Sequence, residues 1–262
     1  MRFLLFLLLA VTPTAAQACH GLDECALGDR GYHVLEPDGW DGVSPLPVLL
    51  HFHGWKRQGE TIVKHDRIAS ATRKRGVLLV APDGLNRSWD FWAPGSRDTP
   101  FAAAVMEEVA KRYPIDETRV YVSGYSWGSN MAWRYVCENG EGVAALLAIS
   151  GVLDQDEACK TQPGEVRQVY GLEDTVLDYP FGPGGDETYP VQLWRDLYRC
   201  GSGEQTATWS VTERDTFTRW EWRDCPDGGP VTFDIHAGGH WIPRGWIARQ
   251  LDELMGLPPS YP

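Results

Sequence analysis

Positive charge is scarce in this chain. Its 262 residues carry 24 Lys and Arg against 36 Asp and Glu, a net charge of −12. Nucleic acid is gripped through a basic footprint, so that partner is excluded, and an anionic membrane surface or a strongly acidic substrate is disfavoured. Beyond the N-terminus no apolar run approaches the roughly 20 residues of a membrane helix. No Cys-x-x-Cys pair occurs, which removes the common zinc and redox frameworks. Internal repeats and low-complexity tracts are also absent. The composition, 43% hydrophobic and 23% charged, is that of a globular protein, and the length suits one α/β domain.

Residues 1–18 (MRFLLFLLLAVTPTAAQA) have a short basic start at Arg2, an apolar run from Phe3 to Val11, and the small-x-small sequence Ala16-Gln17-Ala18. That pattern predicts a secretory signal peptide, cleaved to leave a single domain over 19–262 that is secreted or periplasmic. A lipid anchor on Cys19 is disfavoured, because Ala16 stands where a lipidation signal has Leu. In an oxidising compartment an even cysteine count implies disulfides. Sequence proximity pairs Cys19 with Cys25, Cys137 with Cys159 and Cys200 with Cys225.

Apolar, β-branched runs predict strands at 31–36, 47–53, 76–81, 119–123, 144–150, 165–171, 206–212, 217–222 and 231–235. Helical patterns lie at 60–74, 99–113, 128–138, 189–199 and 244–255. The second of these has Thr99 as a cap, Pro100 in the first turn, and acids before bases. Short strands alternating with helices imply a mostly parallel sheet covered on both faces. The strand-rich stretch 201–230 reads as a hairpin insertion or an antiparallel edge, and 178–190 as a Pro/Gly loop.

The sharpest motif is Gly124-Tyr125-Ser126-Trp127-Gly128, set between the apolar strand RVYVS and a helical pattern. A strand–turn–helix of this kind is a nucleophile elbow, so tight that only Gly fits two residues on either side of the Ser. A Ser hydroxyl needs a base and an orienting carboxylate, which in α/β-hydrolases follow in the order Ser, acid, His. After Ser126 only His236 and His240 remain. His240 lies in a loop that can reach over the sheet edge and is preferred to His236, which ends a strand. The acid should follow the strand EVRQVYG, where Asp174 is preferred to Glu173 and Asp178. Oxyanion donors are expected from the backbone N–H of Trp127 and from Trp55, which follows His53-Gly54 after an early strand. A metal on His51 and His53 lacks a third ligand, and no metal or organic cofactor is implied.

These motifs resemble the secreted polyhydroxybutyrate depolymerase-like esterases, close to feruloyl and acetylxylan esterases. The resemblance rests on His53-Gly54, Ala81-Pro82-Asp83-Gly84 with NRSWDFW after it, YPIDETRVYVSGYSWGSNMAW, YGLEDTVLDYP and GGHWIP, spanning 47 to about 245. It implies an α/β-hydrolase fold, a Ser126–Asp174–His240 triad and a hydroxyalkanoate or related ester as substrate. A feruloyl or acetylxylan esterase or a peptidase on the same fold are alternatives, as is an exported polymer-binding module without chemistry. There are two departures. Tyr170-Gly171 stands where the family has a His-Gly pair, in a place expected to lie away from the chemistry. Trp127 replaces a small or amide residue and is expected to reshape the acyl pocket. Twelve Trp are many for this length. Trp55, Trp127 and Trp241 adjoin the three catalytic turns, while Trp89 and Trp92 follow Pro82-Asp83-Gly84. Together they suggest an aromatic wall around an apolar or ring-bearing ester.

Overall fold

The computed structural model describes residues 19–213 and 215–260. The expected signal peptide therefore lies outside the described residues. Ten strands run in chain order: β1 (Cys25–Leu27), β2 (Arg30–Leu35), β3 (Leu46–Phe52), β4 (Leu78–Pro82), β5 (Ile115–Tyr125), β6 (Ala145–Ile149), β7 (Glu165–Gly171), β8 (Glu204–Ser210), β9 (Thr216–Trp222) and β10 (Val231–His236). The helices are α1 (Gly59–Val63), α2 (Asp66–Arg73), α3 (Asp98–Arg112), α4 (Trp127–Asn139), α5 (Gln192–Leu197) and α6 (Trp246–Leu254).

All the strands join one sheet in the order β1-β2-β4-β3-β5-β6-β7-β10-β9-β8. The six from β4 to β10 are mutually parallel, and an antiparallel pair closes each edge. The hairpin reading of 201–230 is the β8–β9 edge. β3 connects leftward to β4, and the chain then returns to place β5 on the other side of β3. The carboxyl ends of β3 and β5 thus flank a topological switch point, where open α/β sheets hold their ligands.

Alternation along the parallel strands builds a core on each face. Val48, Leu50, Phe52 and Val122 pack with residues of α3 and α4, including Val105, Met131 and Val136. Leu49, Leu79, Tyr121 and Leu147 face the opposite way, with Ile68 of α2 and Trp246 and Leu251 of α6. Two helices differ from the sequence expectation. The pattern at 60–74 breaks at Lys64-His65 into α1 and α2, and that at 189–199 shortens to α5, preceded by a 3-10 turn at Tyr189–Val191 that holds Pro190. The three expected disulfides are formed, a feature of oxidising compartments. Among the described residues, no helix is long and apolar enough to cross a membrane.

Candidate active site

Ser126 sits between β5 and α4 at φ 59° and ψ −127°, a strained backbone for a residue with a side chain. The flanking glycines are sterically required. A Cβ on Gly124 would lie 2.0 Å from the Gly128 carbonyl oxygen, and one on Gly128 would lie 2.1 Å from that of Phe52. The turn is anchored by the Ser126 N–H, which donates to the Ile149 carbonyl at 2.9 Å.

His240 and Asp174 meet this hydroxyl from two other loops. His240 Nε2 lies 2.8 Å from Ser126 Oγ, and His240 Nδ1 lies 2.6 Å from Asp174 Oδ2. The other Asp174 oxygen accepts the N–H groups of Val176 and Leu177 at 3.0 and 3.1 Å, so this buried carboxylate is solvated by backbone. The two loops are stitched together, since Leu172 N–H donates to His236 O at 2.9 Å and Glu173 N–H to Gly238 O at 3.0 Å.

Tyr170-Gly171 stands closer to this relay than the sequence suggested. A Cβ on Gly171 would lie 2.1 Å from Gly238 O, and the Tyr170 hydroxyl donates to Leu177 O at 2.9 Å, closing the acid loop. Tyr125 also braces the relay, its hydroxyl donating to His240 O at 3.0 Å. Neither role carried a sequence signal.

Trp127 opens α4, so its N–H has no acceptor within the helix. Among the described residues, neither this N–H nor that of Trp55 makes a hydrogen bond. The Trp55 loop is held from below. His53 Nδ1 faces Gly54 O at 2.8 Å, and His53 Nε2 accepts the Gly84 N–H at 2.9 Å. Asp83 in turn accepts the Gly59 N–H at 2.6 Å. The Pro82-Asp83-Gly84 turn thereby positions the loop that carries Trp55.

No protein-family model matches the chain. A probable feruloyl esterase C of Aspergillus niger is 25% identical over 235 residues, covering 87% of this chain and 80% of that protein. A bifunctional acetylxylan esterase/xylanase of Neocallimastix patriciarum is 27% identical over 202 residues, 76% of this chain but only 29% of that longer protein. Among solved structures, an acetyl xylan esterase from Aspergillus awamori superposes with a TM-score of 0.64 at 15% identity, over 87% of this chain and 94% of that one. The chain is a carboxylic ester hydrolase of the α/β-hydrolase fold.

The esterase's tryptophans divide into two groups. Trp55 and Trp92 are 51% and 68% exposed, and both contact Trp127, with ring centroids 5.2 and 5.4 Å away. Phe91 closes the group 5.7 Å from Trp127. Trp241 is also exposed and lies over Gly238, on the loop that presents His240. Trp89 departs from the expected wall. It is buried, its ring packs edge-on against Phe52, and its indole N–H donates to His53 O at 2.7 Å. The same short segment thus sends one Trp inward to support the Trp55 loop and another outward to solvent beside Trp127.

His236 Nδ1 accepts the Gly238 N–H at 3.1 Å, whereas it is His240 that faces Ser126. Burial pushes the basicity of His236 down to about 4, that of His53 to about 4 and that of His51 to about 3. An unfolded imidazole protonates near 6.5, so below that pH the unfolded chain binds more protons than the fold, and stability falls as pH drops. Between pH 7 and pH 5 the loss should be about 5–6 kcal/mol, summed over the three rings. Urea unfolding at both pH values measures it, and equal stabilities would show that these rings protonate freely in the fold.

Proposed function

We propose that the esterase works through Ser126, His240 and Asp174 by way of an acyl-enzyme. The hydrogen-bonded chain from Ser126 to Asp174 carries this reading, because it arises from three loops far apart in sequence. His240 takes the Ser126 proton as Oγ attacks the ester carbonyl, and then protonates the leaving alcohol. Asp174 fixes the imidazole tautomer and stabilises the imidazolium. The N–H groups of Trp55 and Trp127 hold the oxyanion. Water then repeats the cycle on the acyl-enzyme. The chain is exported, its leader being residues 1–18.

The substrate is a ring-bearing acyl ester of the feruloyl type, in preference to a hydroxyalkanoate. Named feruloyl esterases among the relatives support this, and so does the open shelf of Trp55, Trp92 and Trp127, which offers faces for a planar ring to stack on. Acetylxylan is the second reading, favoured by the Neocallimastix relative. Methyl ferulate, acetylated xylan and a hydroxybutyrate oligomer, compared by kcat/KM, separate the three, and the ferulate should lead. In Trp127→Ala the ratio of ferulate to acetyl ester kcat/KM should fall about tenfold, as expected for roughly 1.4 kcal/mol of lost ring contact. An unchanged ratio would remove Trp127 from the acyl site.

A further inference from the structure

We propose that Glu24, His33 and Asp83 form a binding site for one zinc-type divalent cation, which ties the β1–β2 hairpin to the turn beneath the Trp55 loop. One ligand atom from each residue lies within 4.8 Å of the others. His33 and Asp83 are 3% and 6% exposed, so this is a built site and not a surface cluster of acids.

Three features point to a cation. His33 Nδ1 lies 3.1 Å from Gly21 O, and a carbonyl only accepts, so Nδ1 donates there. The other ring nitrogen, Nε2, is turned toward Asp83 Oδ2 at 3.9 Å, beyond hydrogen-bonding reach. An imidazole held this way, with its second nitrogen on a backbone carbonyl, has the orientation of a metal ligand. Next, the Asp83 oxygen facing His33 is not the one that accepts the Gly59 N–H. The nearby Arg30 guanidinium directs its donors to the Asp83 backbone oxygen at 2.9 Å and to Asp98 at 2.6 Å, leaving that carboxylate oxygen aside. Finally, Gly31 makes room for Glu24: a Cβ there would lie 2.3 Å from Glu24 Oε1.

Donors in a tetrahedral zinc shell stand about 3.4 Å apart. Rotation of the solvent-exposed Glu24 side chain closes the remaining gap, and water completes the shell. One imidazole with two carboxylates suits zinc better than calcium, which prefers six to eight oxygens. The Cys19–Cys25 disulfide closes the short loop that carries Glu24. A cavity of about 190 Å³ lined by Glu24, Asp83 and Gln58 gives access from solvent.

The test uses the whole protein stripped with EDTA, titrated with zinc chloride by calorimetry and melted with and without the metal. One zinc per chain should bind and raise the melting temperature by about 5 °C at saturation. Glu24→Gln should melt like the wild type without metal, bind zinc at least tenfold more weakly and lose most of the rise. Calcium at the same concentration should give no rise. Failure to bind zinc, binding that survives Glu24→Gln, or an equal response to calcium would each overturn the site.

Discussion

Ser126→Ala should lower ester turnover by about 10⁴- to 10⁶-fold while moving the melting temperature by no more than about 2 °C. The residual activity is what the oxyanion donors and substrate binding sustain without a nucleophile. The fold should tolerate the change, because Ala adds no atom to the turn, and the positive φ of Ser126 is imposed by Gly124, Gly128 and the Ile149 carbonyl. An organophosphonate probe should label the wild type at Ser126 and leave the variant unlabelled. A binding module that kept the fold without chemistry would give no labelling in either. Asp174→Asn tests the other end of the relay. It keeps an oxygen for the Val176 and Leu177 N–H groups but no longer enforces the imidazole tautomer, and should cost on the order of 10⁴-fold in kcat. Full turnover in Ser126→Ala would place the nucleophile elsewhere.

Short-range pattern decides most of this fold. Nine of the ten strands announce themselves as apolar runs, and the elbow is legible because steric exclusion at Gly124 and Gly128 is a local constraint. Long-range pairing decides the rest. β1 spans only Cys25–Leu27, too short for a period, and exists because β2 offers it an edge. The break at Lys64-His65 is marked by neither Gly nor Pro, so propensity alone joins α1 to α2. Trp89 and Trp92 are three residues apart in one loop, and nothing local tells which indole is covered. His53, Tyr125 and Tyr170 brace the site through contacts with loops 31, 115 and 7 residues distant. Their roles become visible once the sheet order is known.

Asp234 is equally hidden in the sequence, and its replacement should cost more stability than any other single substitution considered. It reads as one polar letter in the apolar strand VTFDI, yet it is completely buried. Its carboxylate takes both arms of Arg219 at 2.8 Å and the indole N–H groups of Trp246 and Trp209 at 2.8 and 3.2 Å. Burial works against the Arg219 charge, but Asp234 and Glu253 overcome it and hold the guanidinium protonated. Glu253 also receives Arg219 at 2.8 Å, so β9, β10 and α6 share one ionic knot. Asp234→Ala would strand a buried cation and two indole donors together, at a cost of about 3–5 kcal/mol. For a domain of this size that is a fall of roughly 6–20 °C in melting temperature. The double variant Asp234→Leu/Arg219→Met removes both charges at once and should recover the part of the loss due to the stranded cation, leaving that of the two unpaired indole N–H groups. The knot matters to the site by position. Asp234 lies six residues before His240 and Trp246 six residues after it, so the same contacts hold both ends of the loop that presents the imidazole to Ser126. Denaturant unfolding of the two variants decides the point: a single variant within about 1 kcal/mol of wild type would show that the knot is not what anchors α6 to the sheet.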